Sequence, residues 1–564
     1  MNYSSFKSAG NVFAIKFEPL TEIYLYSKER FDIDPNTEWG HGKTGNILYV
    51  KIFIATALFV LLIAVFNFMN IATARSEEHA KETGIRKTLG SARWQLIIRY
   101  YIESMMTTVV AVIIALFIVY AVLPLFNQIL GKNVSLNLLS TIWSIPLLLM
   151  FTILVGLLAG SYPAFFLSKF QPVETLKGLR RKSKTTLRNI LVISQFAISI
   201  AMIIGMMAVR RQLNYMQHKN LGFDPDQLIT ITNGATLGNK LQIFKEELLK
   251  NTAIVSVTNS SLIFASGVPE SAYTLDTKAN MASPLHAAYL DVDESFIKTF
   301  GIALKEGRSF DPSMPTDSNA VVINETAAKD FAPDIKSLVN HRITMLSNRS
   351  TPMVFNIIGV MRDFNFESLH QKVKPLVLHL DKVQQASTYI TIKYKSNNED
   401  LAHKYIEGIW NNINGVEKAD INFLNNTIES LYTNEKRISS LSTILSLLGV
   451  IVACMGLFGL AMFITEQRKK EIGIRKTLGA SITEIITAIS KQFVLWVLIA
   501  NAVAWPVAYL ILNKWLQNFA YSIQPAWWMF LSAGAITLVI ALATISTISF
   551  KAALANPVKS LRTE

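Results

Sequence analysis

Glu82, Arg86 and Lys87 lie in the string KETGIRKTLG, and Glu471, Arg475 and Lys476 occupy the same places in KEIGIRKTLG, 389 positions further on. The heptapeptide GIRKTLG, bounded by Gly84 and Gly90 in the first copy and by Gly473 and Gly479 in the second, is repeated letter for letter. A carboxylate and two cations so close together are suited to charge-assisted contacts with a partner. A basic segment of this kind could also rest on anionic lipid, which responds to charge alone. The apolar and glycine positions repeat as faithfully as the charges, and that favours a shaped surface made to fit a protein.

Between its glycines the segment has one apolar face with two cations beside it, the pattern of a short amphipathic helix lying along a membrane. Gly90 and Gly479 stand where that helix must end, at a position that favours positive φ. Ser481-Ile-Thr-Glu484 then forms an S-x-x-E capping box that starts a new helix. The first copy has Ser91-Ala-Arg-Trp94 there, which predicts a weaker cap.

Other chemistry is poorly supported. GHGKTG (Gly40–Gly45) satisfies G-x-G-x-x-G, but a P-loop needs glycine where Thr37 stands, with a strand before and a helix after. The eight histidines, at 41, 79, 218, 286, 341, 370, 379 and 403, show no metal-ligand spacing, and His370 and His379 read as a solvated pair. Cys454, the single cysteine, falls in an apolar run and reads as a packing residue. The run LKGLRRKSK (Leu176–Lys184) reads as a solvated linker drawn to anionic lipid. No catalytic residue, metal or cofactor is expected in this chain.

The elements that must position the motifs are membrane spans. Of 564 residues 51% are hydrophobic and only 17% charged, below the usual charged share of a soluble protein. The apolar residues gather in seven uncharged runs: 52–74, 104–131, 133–168, 189–209, 438–465, 492–513 and 515–550. Each is long enough to span a bilayer. The two longest open on polar stretches, NVSLNLLS and LQNFAYSIQP, that suit the interface, so seven spans are expected. Pro124, Pro146 and Pro506 should kink them. The segments 74–103, 169–188, 466–491 and 551–564 hold 22 Lys and Arg against 9 Asp and Glu, a surplus of 13 out of a net +14. Such segments stay in the cytoplasm. The basic balance therefore reports membrane orientation, and nucleic acid is not expected as a partner.

The long hydrophilic stretch from Arg210 to Arg437 then lies outside the membrane. Strand-like QLITITN, TPMVFNIIGV, KPLVLHL and STYITIKYK alternate there with helix-like LGNKLQIFKEELLK, DESFIKTFG and NEDLAHKYIEGIWNNI, which predicts an α+β domain of one or two lobes. Neither proline nor glycine occurs from Asn425 to Leu448, so a helical stalk is expected to lead into the next span. Both motif copies close on a similar phrase, QPVETLK at 171–177 and NPVKSLR at 556–562, which marks a duplicated module. A whole module reads as one helix, a large outer domain and three helices. The first copy lacks that beginning, so a lost span and outer domain are expected before it.

By these motifs the chain resembles the FtsX-like permease family of ABC transporters, in the duplicated form seen in Bacteroidetes. GIRKTLGAS with its following helix carries one part of the resemblance. YLDVDESFIKTFGIALKEGRSF (Tyr289–Phe310), VVINETAAKDF (Val321–Phe331) and IIGVMRDFNFESLHQKVKPLVL (Ile357–Leu378) carry the other, to the MacB-like core domain. The resemblance implies a polytopic α-helical membrane protein of about seven spans with one large extracytoplasmic α+β domain. In these terms 1–46 is the remnant of a first extracytoplasmic domain, 47–168 and 437–564 are FtsX-like three-helix units, 169–188 is a basic cytoplasmic linker, 189–211 is a span and 212–436 is the MacB-like core domain.

The resemblance also implies an inner-membrane permease subunit with its large domain in the periplasm and its C-terminus in the cytoplasm. It would export or extract an antimicrobial peptide, a drug or a lipoprotein. The rival expectation is a mechanotransmission protein that regulates a cell-wall hydrolase or senses antimicrobial peptides. Either way, Glu82, Gly84, Arg86, Lys87, Gly90, Glu471, Gly473, Arg475, Lys476 and Gly479 would couple to an ABC-type ATPase dimer, a separate subunit that holds ATP and magnesium. The implied surroundings are membrane lipid and a periplasmic or outer-membrane partner.

Overall fold

The computed structural model describes residues 17, 19–31, 45–76, 80–131, 133–136, 142–167, 186–262, 268–276, 284–346, 353–381, 389–395, 399–415 and 417–554. GHGKTG as far as residue 44, the basic run 176–184 and both closing phrases lie outside the described residues.

The first described helix, α1 (Ile23–Phe31), precedes α2 (Ile47–Ser76), α3 (Ala80–Thr88), α4 (Arg93–Leu130) and α5 (Ser144–Leu167). Helix α6 (Thr186–His218) leads into the α+β region through β1 (Leu228–Ile231), α7 (Leu241–Leu249), β2 (Ile254–Ser260), β3 (Glu270–Leu275), β4 (Leu285–Val292), α8 (Phe296–Phe300) and β5 (Leu304–Gly307). That region continues with β6 (Ala320–Asn324), α9 (Glu325–Phe331), β7 (Arg342–Leu346), β8 (Met353–Met361), β9 (Leu376–Leu380), β10 (Tyr389–Tyr394), α10 (Glu399–Ile413), β11 (Ile421–Phe423) and α11 (Leu424–Leu431). The chain ends its described course in α12 (Thr433–Gln467), α13 (Lys469–Thr477), α14 (Ile482–Leu516) and α15 (Trp527–Leu554).

Among the described residues seven helices, α2, α4, α5, α6, α12, α14 and α15, are long and apolar enough to cross a membrane, as the apolar runs predict. Helices α5 and α15 begin only at Ser144 and Trp527, after the polar stretches that open the two longest runs. Pro124 and Pro506 fall inside α4 and α14. Pro146 does not interrupt a helix: it stands in the first turn of α5, where no N–H is needed for the intrahelical ladder.

The chain divides into two compact units, one built mainly from residues 214–434 and one from the membrane helices. In the first unit the strands pair in the order β11-β1-β10-β2-β4-β3-β7-β8-β6-β9, with β5 on β8. Strand β4 also pairs with β9, so β4, β3, β7, β8, β6 and β9 close into a ring. Strands β11, β1, β10 and β2 form a wing joined to it through β2 and β4. Two lobes result, both α+β. In β6, Val321 and Ile323 enter one core while Ala320 and Val322 enter another, and β9 divides Val377 from Leu376 and Leu378 in the same way. Both faces of these strands are buried, which accounts for their unbroken apolar runs. Under the wing, α7 and α10 bury Phe244 and Trp410 edge to face at 5.5 Å.

The strings that carried the resemblance hold this domain together. Asn324 Oδ1 accepts from the backbone N–H groups of Ala327 and Leu376, each at 2.9 Å, so one side chain caps α9 and ties it to β9. Asp363 accepts from the Thr326 N–H at 2.9 Å and hydroxyl at 2.7 Å. The predicted stalk is interrupted at Tyr432, where φ is −101° and ψ is 13°. Its ring is buried in the domain and its oxygen accepts from the Leu369 N–H, so the side chain is anchored and the helix restarts at Thr433.

Candidate functional site

Each motif forms a nine-residue helix, α3 in the first copy and α13 in the second. Both end in the same way. Gly90 N–H donates to Lys87 O at 3.1 Å and Ser91 N–H to Arg86 O at 3.0 Å, while Gly479 N–H donates to Lys476 O at 3.2 Å and Ala480 N–H to Arg475 O at 2.9 Å. This is the paired 5→2 and 6→1 bonding of a Schellman end, and it needs a residue with positive φ at its turn. Gly90 has φ of 92° and Gly479 of 90°, with open space where a Cβ would stand. The thread of bonds continues at the threonines, whose hydroxyls donate to Ile85 O at 2.7 Å and Ile474 O at 2.8 Å.

The sharp end pushes apolar side chains into the open. Leu89 is 80% exposed and Leu478 82%, with Ile85 and Ile474, one turn earlier, about half exposed. Arg86 and Arg475 flank them, each held by the carboxylate four residues before it, with Glu82 at 2.9 Å and Glu471 at 2.7 Å. Lys87 and Lys476 come next and are half-buried. Burial, and secondarily the charge of Arg93, hold the Lys87 ammonium below the usual lysine range. Gly84 and Gly473 lie inside the helices, and Gly473 is buried.

The copies differ in how they are braced. Glu82 also takes Arg99 of α4, at 2.9 Å, a contact the sequence reading missed because it spans the turn; the second copy has Ala488 at the matching place. Copy two has instead a buried Ile472, packed in the core with residues of α14 and α15, where copy one has Thr83. The capping box at Ser481 and Glu484 closes in both directions, at 3.0 and 3.3 Å. In the first copy Ala92 caps α4 with no side-chain acceptor, and only Gln95 reaches back, to the Ala92 N–H at 3.0 Å. The motifs are thus two separate knobs of one shape, each an apolar tip with basic flanks, and neither is a catalytic constellation.

The histidine reading needs correction. His379 is no surface residue: it is buried among Phe355, Tyr273 and Tyr289, its Nε2 3.0 Å from the Tyr273 hydroxyl, while His370 lies tilted against Phe519 with ring centroids 5.2 Å apart. Its place on β9, inside an apolar LVLHL run, was the available signal. Cys454 is half-buried and lines a small crevice with Phe196, Ser199 and Thr537.

Comparison with known proteins accords with this architecture. The family model described as FtsX-like permease C-terminal matches residues 54–172 and again 443–557, and the MacB-like periplasmic core domain matches 190–408. The macrolide export ATP-binding/permease protein MacB of Neisseria gonorrhoeae is 24% identical over 351 residues, 60% of this chain and 53% of that one. The uncharacterized ABC transporter permease YknZ of Bacillus subtilis is 31% identical over 118 residues, 21% of this chain and 28% of that one. The chain thus spans about half or less of the length of these curated relatives. Among solved structures, the periplasmic region of MacB from Actinobacillus actinomycetemcomitans aligns at 18% identity and a TM-score of 0.28, covering 38% of this chain and 96% of that one. The repeated membrane unit and the domain between its copies are the parts these models describe, and the chain belongs to the FtsX-like permease family, with a MacB-like periplasmic core domain.

Proposed function

We propose that this chain is the membrane subunit of an ABC transporter and that α3 and α13 are the two points at which a separate cytoplasmic ATPase grips it. The observation that carries the reading is the twin geometry: two helices far apart in the chain end in the same turn and expose the same leucine, isoleucine and arginine. Exposed apolar tips with charged rims suit a groove on a folded partner. ATP and magnesium would be held by that partner, with this chain supplying the response. In this reading the protein sits in the bacterial inner membrane with the α+β domain in the periplasm and the C-terminus in the cytoplasm. Its motion would serve export or extraction of a substrate of the antimicrobial peptide, drug or lipoprotein class.

The test is reconstitution with the cognate ATPase. Arg475→Glu with Lys476→Glu should abolish pulldown of the partner and cut stimulated ATP hydrolysis at least tenfold, because like charge then faces the groove. The matching pair at Arg86 and Lys87 should do the same. Wild-type binding and stimulation in both double variants would show the helices to be lipid-surface elements and end the proposal.

A further inference from the structure

Helices α2 and α12 precede the two motifs, and the 389-residue offset of the repeat pairs their residues one to one: Val60 with Gly449, Asn67 with Gly456, Asn70 with Gly459. In the structure two of these matched pairs meet, and Gly459 meets the residue next to its counterpart. A Cβ on Gly449 would stand 3.2 Å from Met202 of α6 and 3.8 Å from Val60 Cγ2, one on Gly456 would stand 2.8 Å from Asn67 Oδ1, and one on Gly459 would stand 3.0 Å from Ile71, the neighbour of Asn70. Equivalent residues facing each other place the two helices side by side, parallel and in register, as in a twofold pair. Yet at each of the three levels the bulk is on α2 and the glycine on α12.

Hydrogen bonds fix the same level. Asn67 Nδ2 donates to Val452 O at 3.4 Å, and Gln195 Nε2 of α6 donates to the adjacent Ala453 O at 2.9 Å. Gln195 is 3% exposed, and Ile63, Met202 and Ala453 close an apolar layer around the joint. In hydrocarbon, small residues let backbones approach and polar side chains bind across helices. Asn67 and Gln195 both reach α12 carbonyls because glycine at 456 leaves room for them.

We infer that α2 and α12 are the joint at which the two membrane modules pair, and that Asn67 fitted to Gly456 makes this pairing heterotypic. Two α2 faces would oppose Val60 to Val60 and Asn67 to Asn67. Two α12 faces would oppose glycine to glycine and bring no side chain in the place of Asn67 to donate to the Val452 carbonyl. The first module therefore selects the second as its partner in place of another copy of itself. This rests on packing within the membrane unit and is independent of whether an ATPase binds.

The test uses the full chain with Cys454→Ser and a protease site placed between residues 169 and 185. Val60→Cys with Gly449→Cys should, on oxidation, keep the two halves joined on a non-reducing gel after cleavage, as cross-links within one chain. Val60→Cys alone should give less than a tenth as much cross-linked product. Adding Gly456→Val should lower the yield of the cross-link between positions 60 and 449 at least fivefold. Should that variant fail to accumulate in the membrane, Asn67→Leu, of the same branched shape and unable to donate to Val452, should lower the yield at least twofold. Efficient joining of two Val60→Cys chains, or an undiminished yield with Asn67→Leu and with any Gly456→Val that accumulates, would overturn the inference.

Discussion

Lys245 carries its charge from α7 into the interior of the α+β domain, where it meets Asp293 at 2.5 Å and Asn259 Oδ1 at 3.0 Å. Asp293 accepts further from the Thr258 hydroxyl and from the backbone N–H groups of Asn259 and Ser295, each at 3.1 Å. Both side chains are almost fully buried. An ion pair so enclosed is balanced by its hydrogen bonds, and its removal from one side leaves a charge without compensation. Lys245→Met should therefore destabilise the domain by about 3–5 kcal/mol, seen as a lowered unfolding midpoint. Lys245→Met with Asp293→Asn should recover much of the loss, since no lone charge then remains and the amide oxygen can still accept from the donors around it. Equal losses in the single and double variants would mean that the pair contributes through packing alone. At this scale the sequence was informative only where a residue had a local job. Gly90, Gly479, Ser481 and Glu484 were legible because caps are built from neighbours, whereas Lys245 and Asp293 are 48 positions apart and nothing local announces their meeting.

Strand β9 shows what an element can hide. Its histidine sits at a place the pleat turns into the core, so His379 is kept neutral by burial, which lowers its pKa from the ordinary 6.5 to about 4. The unfolded chain binds a proton near pH 6.5 and the folded one does not until near pH 4. Stability is thus fully present above pH 6.5, falls as the pH is lowered through the window between those values, and levels off below it. The loss amounts to about 3 kcal/mol at most. Thermal unfolding between about pH 7.5 and 4.5 should show this decline, and His379→Gln, which keeps a polar partner for Tyr273 without titrating there, should flatten it by that amount. A slope unchanged by the substitution would assign the decline to other groups. The long apolar helices and the strands with both faces buried were readable from composition and run length. Short strands such as β5 and β11 were not, because they owe their form to the neighbours they pair with. Tyr432 broke an apparently continuous stalk for the same reason: its buried ring and its bond from Leu369 outweigh helix propensity.

For the whole molecule the distribution of charge makes one demand. A surplus of 13 of the 14 net positive charges lies in four segments that alternate with the spans, so the positive-inside bias predicts all four on one side and the α+β domain on the other. Thr483, in the first turn of α14, and Ser318, in the turn before β6, are both exposed, so their labelling reports the side of the membrane and not burial in the protein. With Cys454→Ser as background, Ser318→Cys should react with an impermeant maleimide in spheroplasts, and Thr483→Cys should react only after lysis. Position 483 leaves both bonds between Ser481 and Glu484 in place and gives up only the 3.0 Å contact between the Thr483 and Ser481 hydroxyls. If Thr483→Cys labels in spheroplasts while Ser318→Cys waits for lysis, the orientation is the reverse. The motif helices would then face away from any cytoplasmic ATPase, and the proposed coupling would fail with the topology. If both label as expected, α12 joins a periplasmic domain at one end to a cytoplasmic knob at the other. A pull on that knob would then have one continuous helix, from Thr433 to Gln467, along which to travel.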